Sequence, residues 1–340
     1  YSSTVLTYQN DDSTVQALVS AVTEGFPIVH SYSKLRAKLL NLKTLRYCDR
    51  NVQLGIIKKE FPFEESYKEL QEVFGNFHPR YKDLLTHFVE QGQVDVFPKL
   101  GKRGGAFCSN GHGTPTVVML NHDKSSRCHS TFAHEMGHAF HSEESKVQGP
   151  LYEAYTISVA EVASTFFEQL AFDHRLKESS KEEKIILLDS QINEAIATVF
   201  RQIAVFNYEL ELHTLVRSDG MQSYTKMASL MTKHLQAYLG DTYQITEDDG
   251  YCFVLWPHLR YVFYVYSYAS GYIISRALFE RYKKNPEYRE SIMTFLSLGA
   301  SMQPEDIFAS IGIDIRSKEF YQEGLRAIER DIEELASLTV

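Results

Sequence analysis

The chain has 340 residues, of which 44% are hydrophobic, 23% charged and 13% aromatic, and its formal net charge is −9. This composition excludes a disordered chain and supplies enough apolar side chains for a large core. The acidic balance, without a basic stripe, argues against a nucleic-acid partner. The 4 scattered cysteines form no C-x-x-C pair, and no segment is typical of a secretory signal or a membrane span, so we expect a cytoplasmic protein with reduced thiols and no membrane partner.

Helical periodicity dominates the sequence. The predicted helices, in chain order, are Val15–Leu42 with a break near Gly25, Glu64–Phe74, Arg80–Gln91, Lys124–His141, Tyr152–Arg175, Lys181–Ser218, Met221–Leu239, Tyr261–Lys283, Pro286–Leu298, Pro304–Ile311 and Lys318–Leu335. Between residues 94 and 122 the sequence turns to glycine, proline and two β-like runs, Gly105–Cys108 and Thr116–Leu120, which predict a small hairpin or meander. We therefore expect a mainly α protein with one small β insert.

The strongest chemical signal is the run His134-Glu135-Met136-Gly137-His138. Positions i and i+4 share one face of a helix, so both imidazoles can point at one metal ion. Glu135 lies beside them, where its carboxylate can reach a metal-bound water. The spacing predicts a zinc centre; the alternative is a surface helix that happens to carry two histidines.

A catalytic zinc normally takes three protein ligands, so a third is needed. Glu161 is the next candidate, because a carboxylate in an otherwise apolar helix is costly unless a metal or partner compensates it. Glu168 lies two turns further along the same face, where it either supports a ligating histidine or is a surface carboxylate. His141 is two turns from His134, too far for the same ion, which favours a structural or cleft-lining role.

The segment Trp256–Tyr272 combines a histidine with many tyrosines. Tyr261, Tyr264, Tyr268 and Tyr272 follow helical spacing, so we expect them to form one stripe that starts from His258. Phenols and an imidazole are suitable donors to a developing oxyanion beside zinc, whereas the plain alternative is a core stripe.

The glycine-rich run Gly101–Phe107 has no phosphate-binding fingerprint. Glycines next to a strand allow another backbone to come close. In a peptide-handling enzyme, Gly105 and Ala106 would then begin an edge strand on which the substrate lies.

At this point the sequence resembles the oligoendopeptidase F branch of the thimet-oligopeptidase-like zinc metallopeptidases. The stretches that carry the resemblance are Lys102–Phe107, Phe132–His141, Glu161–Glu168 and His258–Gly271, with weaker similarity at Leu45–Asp49 and Phe295–Ser301. Together they span nearly the whole chain. The sequence departs from the family at Phe167, where a polar residue is usual, and it starts late, so we expect it to lack an upstream helical segment of the family.

The resemblance implies one zinc ion per chain held by His134, His138 and Glu161, with Glu135 as the base. It implies that His258, Tyr261 and Tyr268 grip the substrate carbonyl, and we place Tyr264, Glu168, His141, Gly105 and Ala106 around the cleft. The implied fold is a single helical catalytic domain over residues 1–340. Its zinc-binding helices lie at about 124–175, a β insert at about 94–122 lines the cleft, and the C-terminal helical part covers 176–340.

The implied activity is hydrolysis of internal bonds in short peptides. Two alternatives stay open. The first is a zinc carboxypeptidase of similar helical shape, in which Arg260 or Arg103 would hold the terminal carboxylate of the substrate. The second is a peptide-binding protein that keeps the fold without turnover.

Overall fold

The computed structural model describes residues 8–261 and 263–339; the predictions above also include residues 1–7, Val262 and Val340, which lie outside the described residues. The described residues are mainly helical, as predicted. In chain order the helices are α1 (Asp12–Glu24), α2 (Phe26–Leu39), α3 (Phe63–Phe77), α4 (Pro79–Glu90), α5 (Ser126–Ser145), α6 (Ile157–Glu178), α7 (Lys181–Ala195), α8 (Arg201–Asp219), α9 (Tyr224–Leu239), α10 (Tyr266–Lys284), α11 (Arg289–Ser297), α12 (Pro304–Ser310) and α13 (Lys318–Leu338).

The predicted helix over Tyr261–Lys283 is wrong at its start, because α10 begins only at Tyr266. Phe263 takes a left-handed backbone conformation with φ of +57°, which an α-helix cannot contain. Tyr261 and Tyr264 therefore precede the helix, and the predicted helical stripe of tyrosines does not form.

The three-stranded sheet falls where the glycine-rich texture predicts a β insert, whereas a second sheet of two short strands was not predicted. Strands β1 (Leu45–Arg46), β2 (Val94–Asp95), β3 (Phe107–Gly111), β4 (Thr114–Met119) and β5 (Tyr243–Gln244) form two sheets. In the three-stranded sheet, β4 lies between β2, to which it is parallel, and β3, to which it is antiparallel. β3 is thus an edge strand of this sheet.

The chain divides into two compact units. The first unit comprises the described residues of Tyr1–Ile56, Lys181–Ile273 and Asp314–Val340. In this unit α13 packs on α1 and α7, and α9 packs on α2 and α8. The second unit comprises Ile57–Ser180 and Ile274–Ile313. Its centre is the packing of α5 on α6, with the three-stranded sheet against α5. Among the described residues, no helix has both the length and the apolar character needed to cross a bilayer.

Candidate metal centre

Helix α5 carries the H-E-x-x-H run of the second unit. Ser125 precedes the helix, and its side chain accepts the Cys128 N–H, which caps the N-terminus. No proline interrupts the helix, so residues four apart lie on one side. The rings of His134 and His138 consequently lie with their centroids 5.0 Å apart.

Gly137 explains how closely α5 and α6 approach. A Cβ atom at this position would lie 2.6 Å from the Ser164 Cα and 2.9 Å from the Ala163 carbonyl oxygen, both in the backbone of α6. Only a residue without a Cβ fits between the two helices here. This contact lies one turn from Glu161, so it sets the distance between the histidines of α5 and the carboxylate of α6.

Three side chains from these two helices converge. Glu161 Oε2 lies 3.4 Å from His134 Nε2 and 3.8 Å from His138 Nε2, and one possible ligand atom from each residue lies within 4.8 Å of the others. Tetrahedral ligands of zinc, bound at roughly 2.0–2.2 Å, lie about 3.4 Å apart. The spacing and the His-His-Glu donor set therefore fit a divalent metal ion such as zinc.

Two of the three side chains are in the form that binds a metal ion. Burial and the neighbouring His134 lower the pKa of His138 to about 4, which leaves its imidazole neutral. Burial opposes ionisation of Glu161, but the hydrogen bond from His134 and both nearby imidazoles outweigh it and lower the pKa of Glu161 to about 2. A neutral imidazole and a carboxylate are the forms that bind metal ions. His134 is the exception: burial disfavours its charged form, but the hydrogen bonds to Glu161 and Glu168 outweigh burial and raise its pKa well above the usual range, so metal binding would release its proton.

Glu168 lies on the far side of the His134 ring. Its Oε2 is 3.0 Å from His134 Nδ1, so the carboxylate can accept the N–H of that nitrogen and leave Nε2 facing Glu161. A carboxylate in this position fixes the ring orientation and makes the imidazole a better ligand.

We expect Glu168→Ala to weaken zinc affinity about 10- to 100-fold, because His134 loses the group that orients it. Competition with a chromophoric chelator measures this. Glu178→Ala, the same change at an exposed position of α6, is the matched control and should bind zinc like the wild type. Equal affinity in both variants would exclude an orienting role for Glu168.

Glu135 is buried beside the triad, with 7% of its surface exposed. Burial raises the pKa of its carboxyl to about 7, although His134 and a hydrogen bond from the Cys108 N–H favour the charged form. Cys108 belongs to β3, so the edge strand contacts the candidate base through its backbone. The sequence gives no signal for this contact, because it depends on where the strand crosses α5.

His141 is buried and stacks on Tyr155, with ring centroids 3.7 Å apart and an interplanar angle of 1°. It is not part of the metal-binding group. Tyr155 itself was not predicted; its hydroxyl lies 3.0 Å from Ser142 Oγ and 3.4 Å from the His138 carbonyl oxygen. These contacts brace the end of α5 that carries His138.

Gly105 and Ala106 directly precede β3 and are not part of the strand. Gly105 has φ of +84°, which favours glycine, and no atom lies within 4 Å of the position a Cβ would take. Gly105 is exposed, and its carbonyl oxygen accepts a hydrogen bond from the Asn121 side chain at 2.8 Å.

The aromatic segment belongs to the first unit. His258 Nε2 lies 3.1 Å from Tyr268 Oη, and the His258 ring stacks on Tyr264 with centroids 5.6 Å apart. Tyr264 in turn meets the edge of Tyr268, with centroids 5.2 Å apart. Tyr261 is 71% exposed, and its ring centroid is 6.4 Å from that of Tyr264. The structure thus brings these four residues together, although not on one helix.

Glu209 is a buried carboxyl beside this segment that sequence reasoning missed. Its Oε1 accepts the Phe263 N–H at 2.8 Å. Burial raises the pKa of Glu209 to about 7. Between pH 4.5 and 7 the folded protein keeps a proton that the unfolded chain has lost, so this group lowers stability as the pH rises through that window.

We therefore expect Glu209→Gln to stabilise the protein by up to about 3 kcal/mol at pH 8, at about 1.4 kcal/mol per pKa unit, with no gain near pH 4.5. Glutamine still accepts the Phe263 N–H but carries no charge. Chemical denaturation at the two pH values measures the difference. Glu178→Gln is the exposed control, and a Glu209→Gln gain that does not grow with pH would contradict the assignment.

Two packed helices that present two imidazoles, a carboxylate and an adjacent glutamate have the fold and donor set of a metallopeptidase. The family model of Peptidase family M3 matches residues 5–327, and the chain belongs to this family. The predicted resemblance is thereby confirmed, and the chain is similar to oligoendopeptidase F.

The relatives include an oligoendopeptidase F homologue of Lactococcus lactis subsp. lactis, which is 29% identical over 94% of this chain and 54% of its own length. A solved structure from Chlamydophila abortus is 30% identical with a TM-score of 0.89, over 96% of this chain and 56% of that one. The oligoendopeptidase-F of Enterococcus faecium has a TM-score of 0.75 at 21% identity, over 99% and 55% of the two chains, and shows the shared fold. The chain spans about half the length of these relatives.

Proposed function

We propose that this chain hydrolyses internal peptide bonds of short oligopeptides with one zinc ion held by His134, His138 and Glu161. The observation that carries the proposal is the convergence of these three donors beside the buried Glu135. The names of the similar proteins, oligoendopeptidase F, support short peptides as the substrate class. A cytoplasmic location is part of the same proposal.

When bound, zinc would lower the pKa of a water molecule toward neutrality and polarise the substrate carbonyl. In the proposed mechanism, Glu135 takes a proton from the attacking water and later delivers it to the leaving amine. The backbone of Cys108 favours the charged form of the Glu135 carboxyl, which is the form that accepts a proton. Glu168 keeps His134 in the orientation that turns Nε2 toward Glu161.

His258 and Tyr268 are the proposed donors to the oxyanion of the substrate carbonyl, with Tyr261 and Tyr264 as further contacts. The distance of 3.1 Å between His258 Nε2 and Tyr268 Oη and the stacking of Tyr264 on His258 support a preorganised donor group. Gly105 and Ala106 are proposed to offer backbone to an extended peptide, because they lead into β3, which lies at the edge of its sheet.

The contacts of Arg260 disfavour this residue as the group that would hold the terminal carboxylate in the carboxypeptidase alternative. Its guanidinium donates to the carbonyl oxygens of Trp256 and Val254, both at 3.2 Å. The group thus braces its own loop, and capture of a substrate carboxylate would have to break these bonds.

The test is digestion of fluorogenic peptides of increasing length, with the products identified by mass spectrometry. We expect fragments that result from cleavage of one internal bond, and we expect the same fragments from peptides with an amidated C-terminus. Stepwise loss of C-terminal residues would contradict the proposal in favour of a carboxypeptidase. Retained peptide without any cleavage, in a chain that holds zinc, would indicate a binding protein instead.

A further inference from the structure

The aromatic segment contains a backbone conformation that needs outside support. Phe263 has φ of +57°, which L-residues with bulky side chains rarely adopt. Such a residue keeps this conformation only when its surroundings hold it there. The turn at Phe263 is where the chain passes from the His258 part of the segment to Tyr264 and α10.

One face of α8 packs against this turn. Phe206, Glu209 and His213 have the spacing i, i+3, i+7, which places them on the same side of the helix. The ring of Phe263 lies 5.4 Å from that of Phe206 and 5.0 Å from that of His213, measured between centroids. Between them Glu209, which is 2% exposed, accepts the Phe263 N–H.

The same helix also contacts the beginning of the segment. Arg201, the first residue of α8, lies with its guanidinium carbon 5.4 Å from the centre of the Trp256 ring. α8 therefore touches the aromatic segment at residue 256 and again at residue 263, on both sides of His258. A rigid helix that is fixed at both points determines where the intervening residues lie.

We propose that Glu209 is a positioning residue for His258, Tyr264 and Tyr268: its carboxyl oxygen holds the left-handed turn at Phe263, and this turn sets Tyr264 against His258. The proposal rests on the proposed function, in which these side chains act on the substrate carbonyl. Glu209 itself acts through the backbone of Phe263 and needs no contact with the substrate.

The proposal requires an acceptor at this position rather than a charge. In Glu209→Gln the amide oxygen still accepts the Phe263 N–H, so the turn should persist. In Glu209→Leu the side chain is of similar size but accepts no hydrogen bond, and the buried N–H loses its partner. The turn should then relax toward negative φ and displace the residues on either side.

The single tryptophan of the chain, Trp256, reports on this segment without any need for activity. At pH 7 we expect Glu209→Leu to shift the emission maximum and to raise acrylamide quenching by about twofold or more. We expect its kcat to fall about 10- to 100-fold with KM changed by less than about threefold, because the loss concerns groups that act in the transition state. Glu209→Gln should match the wild type in emission maximum, quenching, kcat and KM.

Leu335→Ala is the matched control for stability. Leu335 is fully buried in α13 of the same unit, so its truncation lowers Tm. It should leave quenching and kcat like those of the wild type. Quenching or kcat at the wild-type value in Glu209→Leu would overturn the proposal. A Glu209→Gln variant with quenching and kcat changed as much as in Glu209→Leu would overturn it as well. If the wild type cleaves no peptide, the proposed function fails, and the quenching of the two Glu209 variants still decides whether this residue holds the segment.

Discussion

Glu135→Gln should retain zinc and lose about 10²- to 10⁴-fold in kcat. Glutamine has nearly the same shape as glutamate, but it cannot take a proton from water. The three donors His134, His138 and Glu161 are unchanged, so the metal content should stay that of the wild type. Steady-state kinetics with a fluorogenic peptide, together with atomic emission analysis, measures both quantities.

The control for this variant is Glu178→Gln, the same change at an exposed position of α6. It should turn over like the wild type. A Glu135→Gln protein that is as fast as the wild type would remove Glu135 from the mechanism. Loss of zinc along with activity would instead mean that Glu135 supports the metal site.

Gly137→Ala should destabilise the protein and weaken zinc binding, although alanine is the better helix former. The added Cβ would lie 2.6 Å from the Ser164 Cα, and the clash is with backbone that cannot rotate away. Overpacking of this kind costs about 1–3 kcal/mol, or more where backbone must move. Because α5 and α6 must separate, the distance between the histidines and Glu161 grows, and zinc affinity should fall by at least about tenfold.

Gly75→Ala is the matched control, in α3 of the same unit. The three atoms nearest to a Cβ at Gly75 belong to the Lys82 side chain, and the nearest lies at an ordinary distance of 3.4 Å. This variant should gain up to about 1 kcal/mol, the usual advantage of alanine over glycine within a helix. Thermal unfolding and zinc titration of the two variants separate the packing effect at Gly137 from helix propensity. Wild-type zinc affinity in Gly137→Ala would contradict the proposed role of the close helix contact.

The candidate metal group was predictable because its signal is local. His134 and His138 share a helix face through their spacing alone, and Glu161 was noticeable as a carboxylate in an apolar helix. The sequence does not reveal why a glycine is needed at position 137. The atoms that leave no room for a Cβ there belong to the backbone of α6, more than 20 residues away in sequence. Helical periodicity likewise predicted most helices, since burial of one face repeats along the sequence.

The aromatic segment shows where such reasoning fails. The spacing of Tyr261, Tyr264 and Tyr268 suits a helix, yet the chain turns at Phe263 before α10 begins. The group that accepts the N–H of this turn, Glu209, lies on a helix far earlier in the sequence. Local spacing cannot reveal a tertiary hydrogen bond that overrides helical propensity.

The most direct test of the central claim is to measure peptide cleavage and metal content before and after chelation. The purified chain should hold one zinc ion, lose all cleavage when a chelator removes it, and recover when zinc, but not magnesium, is returned. Magnesium prefers an octahedral shell of oxygen ligands and is a poor match for a His-His-Glu group. Unchanged cleavage of internal peptide bonds by a metal-free chain would contradict the account.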